Sequence, residues 1–178
     1  MVAQIETTTL DLDRRVFHAV EGLVQIVTAP HRNFFTNVMA QALRSAGQGT
    51  SVLVVQFLKG GINMGHQHPI HLCQHLDWFR CNLPRSIDDA QLDDLERDAL
   101  TDLWKHTQSA VLQGDYSLVV LDELSLAIHL GLIPEDDVLD LLQQRPRHID
   151  MILTGPNMPP AIVNEADQVT ELRRSPRL

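Results

Sequence analysis

The sequence has only two cysteines, Cys73 and Cys81, among its 178 residues. So few cysteines exclude a scaffold held together by disulfide bonds and favour the reducing cytoplasm as the protein's location. The first twenty residues contain no apolar stretch like that of a signal peptide, and no apolar run approaches membrane-spanning length. We therefore expect a soluble cytoplasmic protein that does not associate with a membrane.

Basic residues are also scarce, since 14 Lys and Arg face 23 Asp and Glu and give a formal net charge of −9. This charge disfavours non-specific binding to nucleic acid or to anionic lipid, because both are polyanions. Apolar residues make up 44% of the chain, which is enough to fill a core, and the length suits one domain. We expect an N-terminal arm over residues 1–20 and a single α/β domain over residues 21–178.

Short apolar runs alternate along the chain with segments that have apolar residues at helical spacing. The runs predict strands at residues 23–28, 51–57, 118–121, 149–154 and 169–172. The spacing predicts helices at residues 38–46, 86–113, 134–144 and 159–166, with Ser86 and Asp89 as a cap for the second. Strands joined by helical crossovers predict an α/β fold with a mainly parallel sheet of about five strands and helices on both faces.

Polar residues and glycines directly follow each of the main predicted strands. These segments are residues 28–36, 57–61, 122–125 and 154–157. Ligands of parallel sheets bind outside the carboxyl ends of the strands. We therefore expect the functional site where these four segments meet.

Six segments at the ends of predicted strands and helices stand out: ALRSAGQG at residues 42–49, VVQFLKGG at 54–61, LVVLDEL at 118–124, QQRPRH at 143–148, LTG at 153–155 and ADQVTELR at 166–173. In this order they resemble motifs of the ATP:corrinoid (cob(I)alamin) adenosyltransferase family. The resemblance implies a P-loop NTPase-like (Rossmann-like) fold and a homodimer. It also implies Mg-ATP and a corrinoid, with Co(I) attacking the 5′ carbon of ATP and triphosphate leaving.

The resemblance also implies roles for single residues. Asp122 and Glu123, which follow four apolar residues, would hold the metal ion as catalytic residues, and the alternative is a pair of solvated acids. The residues expected to bind ATP or the corrinoid are Arg32, Thr36, Arg44, Lys59, Trp78 and Phe79. Lys59 could equally be a surface lysine, and core packing is the alternative for Trp78 and Phe79.

The segment in the place of the family's phosphate loop, residues 29–36, departs from the pattern. A Walker A loop needs glycines to turn backbone amides inward and a lysine for the outer phosphates. This segment has no glycine, Pro30 lacks an amide hydrogen, and Phe34 stands at the lysine position. Arg32 and Thr36 are the remaining candidates for phosphate contacts. Loss of the lysine and several amide donors removes on the order of 5 kcal/mol of phosphate binding.

Two hypotheses follow from this degenerate Walker A loop. The first is a non-catalytic binding or regulatory module that keeps the fold and holds a small molecule or a protein partner in the crevice at the strand ends. The alternative is an active ATP:cob(I)alamin adenosyltransferase with an altered loop.

A third hypothesis is a metal-binding protein, because residues 66–75 contain four histidines and one cysteine. If Pro69 opens a helix, His71 and His75 lie on one helical face, a spacing at which two imidazoles can share a metal ion. The candidate ligands of Zn, Ni or Cu are His68, His71, Cys73 and His75. The alternative is an exposed helix with solvated histidines.

Overall fold

The structure is a computed structural model that describes residues 21–32, 35–60 and 64–173. The arm predicted over residues 1–20 and the predicted lysine position Phe34 lie outside the described residues. The described chain forms these elements in order: β1 (Val24–Ala29), α1 (Thr36–Gly47), β2 (Val52–Gln56), β3 (Ile70–Leu72), β4 (Leu76–Arg80), α2 (Asp94–Gln113), β5 (Leu118–Asp122), α3 (Leu124–His129), α4 (Glu135–Gln144), β6 (Asp150–Pro156), α5 (Pro160–Asn164) and β7 (Gln168–Glu171).

The strands form one seven-stranded sheet in the order β3-β4-β2-β5-β6-β1-β7. All neighbours pair in parallel except β3, which is antiparallel to β4. The predicted mainly parallel α/β fold is therefore confirmed. The prediction of about five strands was too low, because β3 and β4 were not recognised.

The missed strands form a hairpin in the segment where the metal-site hypothesis required a helix opened by Pro69. Cys73, Gln74 and His75 connect β3 to β4, and the first two have φ angles of 54° and 63°. Two successive residues with positive φ are typical of a type I′ hairpin turn. Since this turn lacks the usual Asn-Gly or Asp-Gly sequence, the polar, histidine-rich composition gave no hairpin signal. His71 and His75 consequently do not share a helical face.

Helices cover both faces of the sheet, as predicted. On β2, Val52 and Val54 belong to the hydrophobic cluster that contains the buried side of α1. Leu53 and Val55 belong to a second cluster, formed with α2, α4 and α5. Four consecutive buried apolar residues are what a strand covered on both faces requires. Successive side chains of a strand point to opposite faces of the sheet. The last side chains of β2 and β5 therefore lie on the face that α1 covers.

Residues 82–93, which we call the strap, connect β4 to α2 along the carboxyl edge of the sheet. Ile87 of the strap is fully buried, and its amide donates a hydrogen bond of 2.8 Å to the Leu58 carbonyl just beyond β2. Arg85 donates two hydrogen bonds to the Glu96 carboxylate of α2, from Nε at 2.6 Å and from Nη2 at 2.8 Å. The strap is therefore fixed both to the sheet and to α2.

The strap occupies residues for which the sequence predicted the first turns of α2. The predicted start of α2 at Ser86 was wrong, because the helix begins at Asp94 with Asp93 as its N-cap. The Asp93 carboxylate accepts a hydrogen bond from the Glu96 amide at 2.8 Å, and the Glu96 carboxylate accepts one from the Asp93 amide at 3.2 Å. This capping box satisfies two helix-terminal amides and sets where the strap ends.

No helix in the described ranges is both long and apolar enough to cross a membrane. Both cysteines are unpaired: Cys73 is exposed in the hairpin turn and Cys81 is buried. Burial raises the pKa of the Cys81 thiol to about 12. A thiol with so high a pKa stays protonated and unreactive at neutral pH.

The capping box predicts a measurable contribution to stability. We expect D93A to lower the free energy of unfolding by about 1 kcal/mol, because the Glu96 amide loses its partner in the first turn of α2. D98A removes an exposed acid in the same helix and should change stability by less than about 0.5 kcal/mol. Urea unfolding of the two variants checks this, and equal effects would contradict it.

The histidine pair that joins the loop before β3 to α2 predicts a pH dependence. His66 and His106 stack at 4.8 Å, and burial, followed by the charge of His66, lowers the pKa of His106. The pKa of His106 is higher in the unfolded chain than in the folded protein, so protonation favours unfolding. The contribution of neutral His106 to the free energy of unfolding is therefore complete above about pH 6.5 and decreases as the pH drops through that value. We expect H106Q to weaken this fall in melting temperature.

The exposed His75 provides the control for this measurement. H75Q should keep the acid dependence of the wild-type melting temperature. An H106Q profile that follows the wild-type curve between pH 5 and pH 8 would refute the assignment.

Candidate functional site

The four segments expected to meet at the carboxyl edge of the sheet do meet there. The Thr28 hydroxyl at the end of β1 donates a hydrogen bond of 2.8 Å to the Gly155 carbonyl of β6. Lys59, just beyond β2, donates one of 2.8 Å to Asp122 at the end of β5. Since parallel strands present their carboxyl ends at one edge, segments far apart in sequence form one site.

Asp122 lies at the centre of this edge and is only 1% exposed. Its Oδ1 accepts a hydrogen bond from the Thr154 hydroxyl at 2.8 Å. Its Oδ2 accepts one from Gln56 Nε2 at 2.7 Å and one from Lys59 Nζ at 2.8 Å. A carboxylate withdrawn from water in this way needs a paired cation and hydrogen bonds to both oxygens. Lys59 and the two neutral donors meet that need.

Gln56 extends the network from Asp122 to the neighbouring strand β4. Its side chain is fully buried, and its Oε1 accepts hydrogen bonds from Trp78 Nε1 at 3.0 Å and from Arg80 Nε at 2.8 Å. Because the amide also donates to Asp122, it fixes the orientation of three neighbours at once. Trp78 is thereby held on the face of the sheet that carries Asp122.

Glu123 follows Asp122 and pairs with Arg32 of the segment between β1 and α1. The Glu123 side chain is 3% exposed and accepts two parallel hydrogen bonds, from Arg32 Nε at 2.5 Å and from Nη2 at 2.9 Å. Hydrogen bonding to Glu123 is the main reason why the pKa of Arg32 is raised. Such a bidentate pair fixes both the position and the orientation of the guanidinium group.

The backbone of Glu123 is itself unusual. Its φ of 60° lies in the left-handed region, which non-glycine residues rarely adopt. The Glu123 amide donates a hydrogen bond of 3.0 Å to the Thr154 hydroxyl. Backbone strain of this kind persists where surrounding contacts hold it, and it is concentrated at functional sites.

Arg32 also reaches the strap. Its Nη1 donates to the Asp88 carboxylate and, at 3.1 Å, to the Ile87 carbonyl. One guanidinium group thus joins the β1–α1 segment, the strap and the end of β5. We call Arg32 with its two carboxylate partners, Asp88 and Glu123, the Arg32 bridge.

A cleft of about 440 Å³ opens above these residues. It is lined by Arg32, Lys59, Gly60, Arg80, Ser86, Asp88 and Glu123. Gly60 is required here, because a Cβ atom at this position would lie 2.2 Å from the Arg85 carbonyl oxygen of the strap. The cleft therefore combines three cationic side chains with two carboxylates and the wall that the strap provides.

Three other residues expected to bind a cofactor are placed differently from one another. Thr36 is exposed as the first residue of α1, at the same edge of the sheet as Asp122. Arg44 is exposed in the last turn of α1, which leads into the amino end of β2 and hence to the opposite edge. Phe79 is buried in the core beside the His106 ring, on the opposite face from Asp122. The structure thus brings neither Arg44 nor Phe79 to the site, and for Phe79 the core-packing alternative fits.

The histidine-rich segment does not form the expected metal site. The structure contains no group of three or more His, Cys, Asp or Glu that could hold a metal ion, within the ranges it describes. His71 Nδ1 instead contacts Asp77 Oδ1 across the hairpin at 2.5 Å, and His66 stacks on His106. The hypothesis that His68, His71, Cys73 and His75 bind a metal is not supported, because it depended on a helix where the chain forms a hairpin.

The sequence reasoning missed three members of the site. Gln56 carried a usable signal, because it is a polar residue that continues the apolar run of β2. Arg80 lies in β4, which was not recognised, and Asp88 lies in the strap, which was predicted as part of α2. No sequence motif marks either residue. Thr154 was within a segment singled out as a strand end, and it bonds to Asp122.

Mg-ATP does not fit the site as it stands. Both oxygens of Asp122 and both of Glu123 already accept hydrogen bonds, from donors that include Lys59 and Arg32. Mg²⁺ requires carboxylate oxygens directed at it with close to octahedral geometry.

Comparison with known proteins agrees with the strand-end motifs. The family model described as "ATP:corrinoid adenosyltransferase BtuR/CobO/CobP" matches residues 20–176. A protein of Escherichia coli K12 named "Corrinoid adenosyltransferase" is 28% identical over 164 residues, covering 91% of this chain and 83% of its own.

Two further relatives are similar to the same extent. "Corrinoid adenosyltransferase CobA" of Salmonella typhimurium is 29% identical over 91% of this chain and 83% of its own. The "Corrinoid adenosyltransferase" of Pseudomonas aeruginosa is 30% identical over 85% of this chain and 74% of its own. Because the family model covers most of the sequence, this chain belongs to the ATP:corrinoid adenosyltransferase family.

Proposed function

We propose that this protein is a member of the corrinoid adenosyltransferase family that no longer carries out ATP chemistry and serves as a binding module. Its ligand would enter the cleft at the carboxyl edge of the sheet. The observation that carries the proposal is the bidentate pair between Arg32 and the buried Glu123. A side chain from the phosphate-loop segment thus bonds to the carboxylate that the family resemblance assigned to the metal.

The charge balance supports the proposal. In a nucleotide site, basic residues face the phosphates and carboxylates face the metal ion. The bound nucleotide and metal ion therefore neutralise the charges of the protein's side chains. Here Arg32 pairs with Glu123, and Lys59 pairs with Asp122. Binding Mg-triphosphate would require both buried pairs to break, and each broken pair would leave a charge poorly solvated.

The sequence of the β1–α1 segment supports it independently. Residues 29–36 contain no glycine, and Pro30 removes one backbone amide donor. Phosphate loops depend on a row of inward-pointing amides, which this composition cannot supply in the usual number. Thr36 keeps a hydroxyl group at the start of α1, but a single hydroxyl does not replace the loop.

An active adenosyltransferase remains the alternative, and the names of the relatives favour it. In that reaction a reduced corrinoid would attack the 5′ carbon of ATP and displace triphosphate. Trp78 lies on the face of the sheet that carries Asp122 and could contact a corrin ring there. The two functions differ in nucleotide affinity, which can be measured directly.

The first prediction from this proposal concerns the nucleotide. We expect Mg-ATP to bind with a dissociation constant weaker than about 1 mM, because the loop lacks its amide donors and its lysine. T36A should change neither this affinity nor any residual adenosyl transfer to a reduced corrinoid. Calorimetry, with the E. coli relative as a positive control, provides the measurement. Micromolar binding that T36A abolishes would reject the proposal and favour the active adenosyltransferase.

The second prediction concerns the Arg32–Glu123 pair as a structural element. In the wild type, R32A leaves the buried Glu123 carboxylate without its cation. In an E123Q background the neutral amide needs no cation, so R32A should lower the free energy of unfolding by about 2 kcal/mol less there than in the wild type. This value is below that for a fully buried pair, since the Arg32 side chain is 33% exposed.

An exposed pair in the same chain provides the matched control for that double-mutant cycle. Arg173 and Glu171 lie 2.7 Å apart with side chains 76% and 40% exposed. Their coupling should be below about 0.5 kcal/mol. Equal couplings for the two pairs, measured by chemical unfolding, would mean that the Arg32–Glu123 pair contributes nothing specific to the fold.

The homodimer and the cytoplasmic location expected from the sequence stay predictions. Light scattering tests the first, and fractionation of cells that express the protein tests the second. Neither result bears on the choice between the binding module and the active enzyme.

A further inference from the structure

We propose that the cleft contains a subsite for a single oxyanion group, a carboxylate or a phosphate, and that Asp88 occupies this subsite as an internal substitute. This inference rests on the proposed function, because it gives the chemistry of the ligand that the binding module would take. The incoming group would replace Asp88 on Arg32 while Glu123 keeps its place.

The two carboxylates of the Arg32 bridge differ in how firmly they are held. Glu123 is 3% exposed and bonds through both oxygens to Nε and Nη2. The Asp88 side chain is 75% exposed and bonds through one oxygen to Nη1. An exposed ion pair is worth little, whereas a buried bidentate pair is costly to break. Asp88 is therefore the partner that a ligand can displace.

Displacing Asp88 would leave the strap in place. The strap is held by the buried Ile87, whose amide bonds to the Leu58 carbonyl, and by the double hydrogen bond from Arg85 to Glu96. None of these contacts uses the Asp88 side chain. Exchange of one anion for another at Arg32 is thus a local event that needs only rotation of an exposed side chain.

The surroundings of the Asp88 carboxylate suit an oxyanion. Ser86, Lys59 and Arg80 line the same cleft, so a hydroxyl group and two cationic groups face the space beside Arg32. Arg80 is held by Gln56 and Lys59 by Asp122, which fixes both near the cleft. Preorganised donors of this kind bind carboxylate and phosphate groups without first having to be ordered.

Charge counting limits the ligand to one anionic group of low charge. Exchange of Asp88 for one carboxylate or phosphate changes the net charge of the cleft by at most about one unit. A triphosphate would instead place several negative charges beside the buried Glu123 and Asp122. The volume of about 440 Å³ leaves room for the body of a small organic molecule behind its anionic group.

The experiment compares D88N with D89N. Asp89 is the next residue, is exposed, and accepts a hydrogen bond from the Gln91 amide, which an asparagine at this position can also accept. Both variants remove one negative charge from the strap, so they share any general electrostatic effect. We expect D88N to bind inorganic phosphate or acetate about threefold to fivefold more tightly than D89N does, because only Asp88 competes for Arg32.

The binding is followed through the side-chain NMR signal of Arg32 Nε–Hε at constant ionic strength, with phosphate in one titration and acetate in the other. Tighter binding of either anion by D88N supports the subsite, and the anion with the larger gain indicates which group the natural ligand carries. Equal affinities of D88N and D89N for both anions would overturn the proposal.

A second variant tests the role of Arg32 without unfolding the protein. R32K keeps a cation beside the buried Glu123, but one ammonium group lacks the fork that serves two anions at once. Because R32K lacks the Arg32 NMR signal, calorimetric titration measures phosphate binding of this variant and of the wild type. We expect R32K to bind phosphate about tenfold more weakly than the wild type, with an unchanged circular dichroism spectrum. Unaltered binding in R32K would place the anion elsewhere. Neither outcome depends on Mg-ATP, so failure here is distinct from failure of the proposed function.

Discussion

Two adjacent carboxylates buried at the end of β5 determine the arrangement of the residues around them. Asp122 and Glu123 are 1% and 2% exposed, and a buried carboxylate without a partner costs several kcal/mol. Lys59 and Arg32 supply the two cations, each from a segment that follows a different strand. The two ion pairs that neutralise these acids therefore hold the loop after β2 and the segment after β1 at the end of β5, where both segments line the cleft.

The same pairing that stabilises the fold limits the chemistry of the cleft. A cation already bonded to a buried carboxylate contributes less to a phosphate chain, because the two anions compete for the same N–H donors. Arg32 retains one direction, through Nη1 toward Asp88, in which an exchange partner is accessible to solvent. The geometry thus favours a ligand with one anionic group over a nucleotide with three phosphates.

Local patterns in the sequence account for the parts of the fold that were predicted. β2 and β5 are marked by continuous apolar runs, and α1 is marked by apolar residues at helical spacing. Each of these patterns lies within a single element, so it can be recognised from a short stretch of sequence. The β3–β4 hairpin and the strap lack such periodicity, and the sequence predicted Ser86 as the cap of α2 where the structure has Asp93. Arg32 and Glu123 are 91 residues apart, and no local pattern specifies which of several acids a given arginine will meet.

Family membership and retained activity depend on different parts of this chain. The strands form the core and the LVVLDEL motif forms β5 and its edge, and both lie within residues 20–176, which the family model matches. In the described part of the phosphate-loop segment, the Arg32 side chain bonds to Glu123 at the end of β5, and Phe35 packs in the core cluster that contains Val120 of β5. Under the proposed function, the bond between Arg32 and Glu123 would also make the change in this segment hard to reverse. Glycines and a lysine would restore the loop, but Glu123 would still require a cation, so recovery of nucleotide binding would require both changes together.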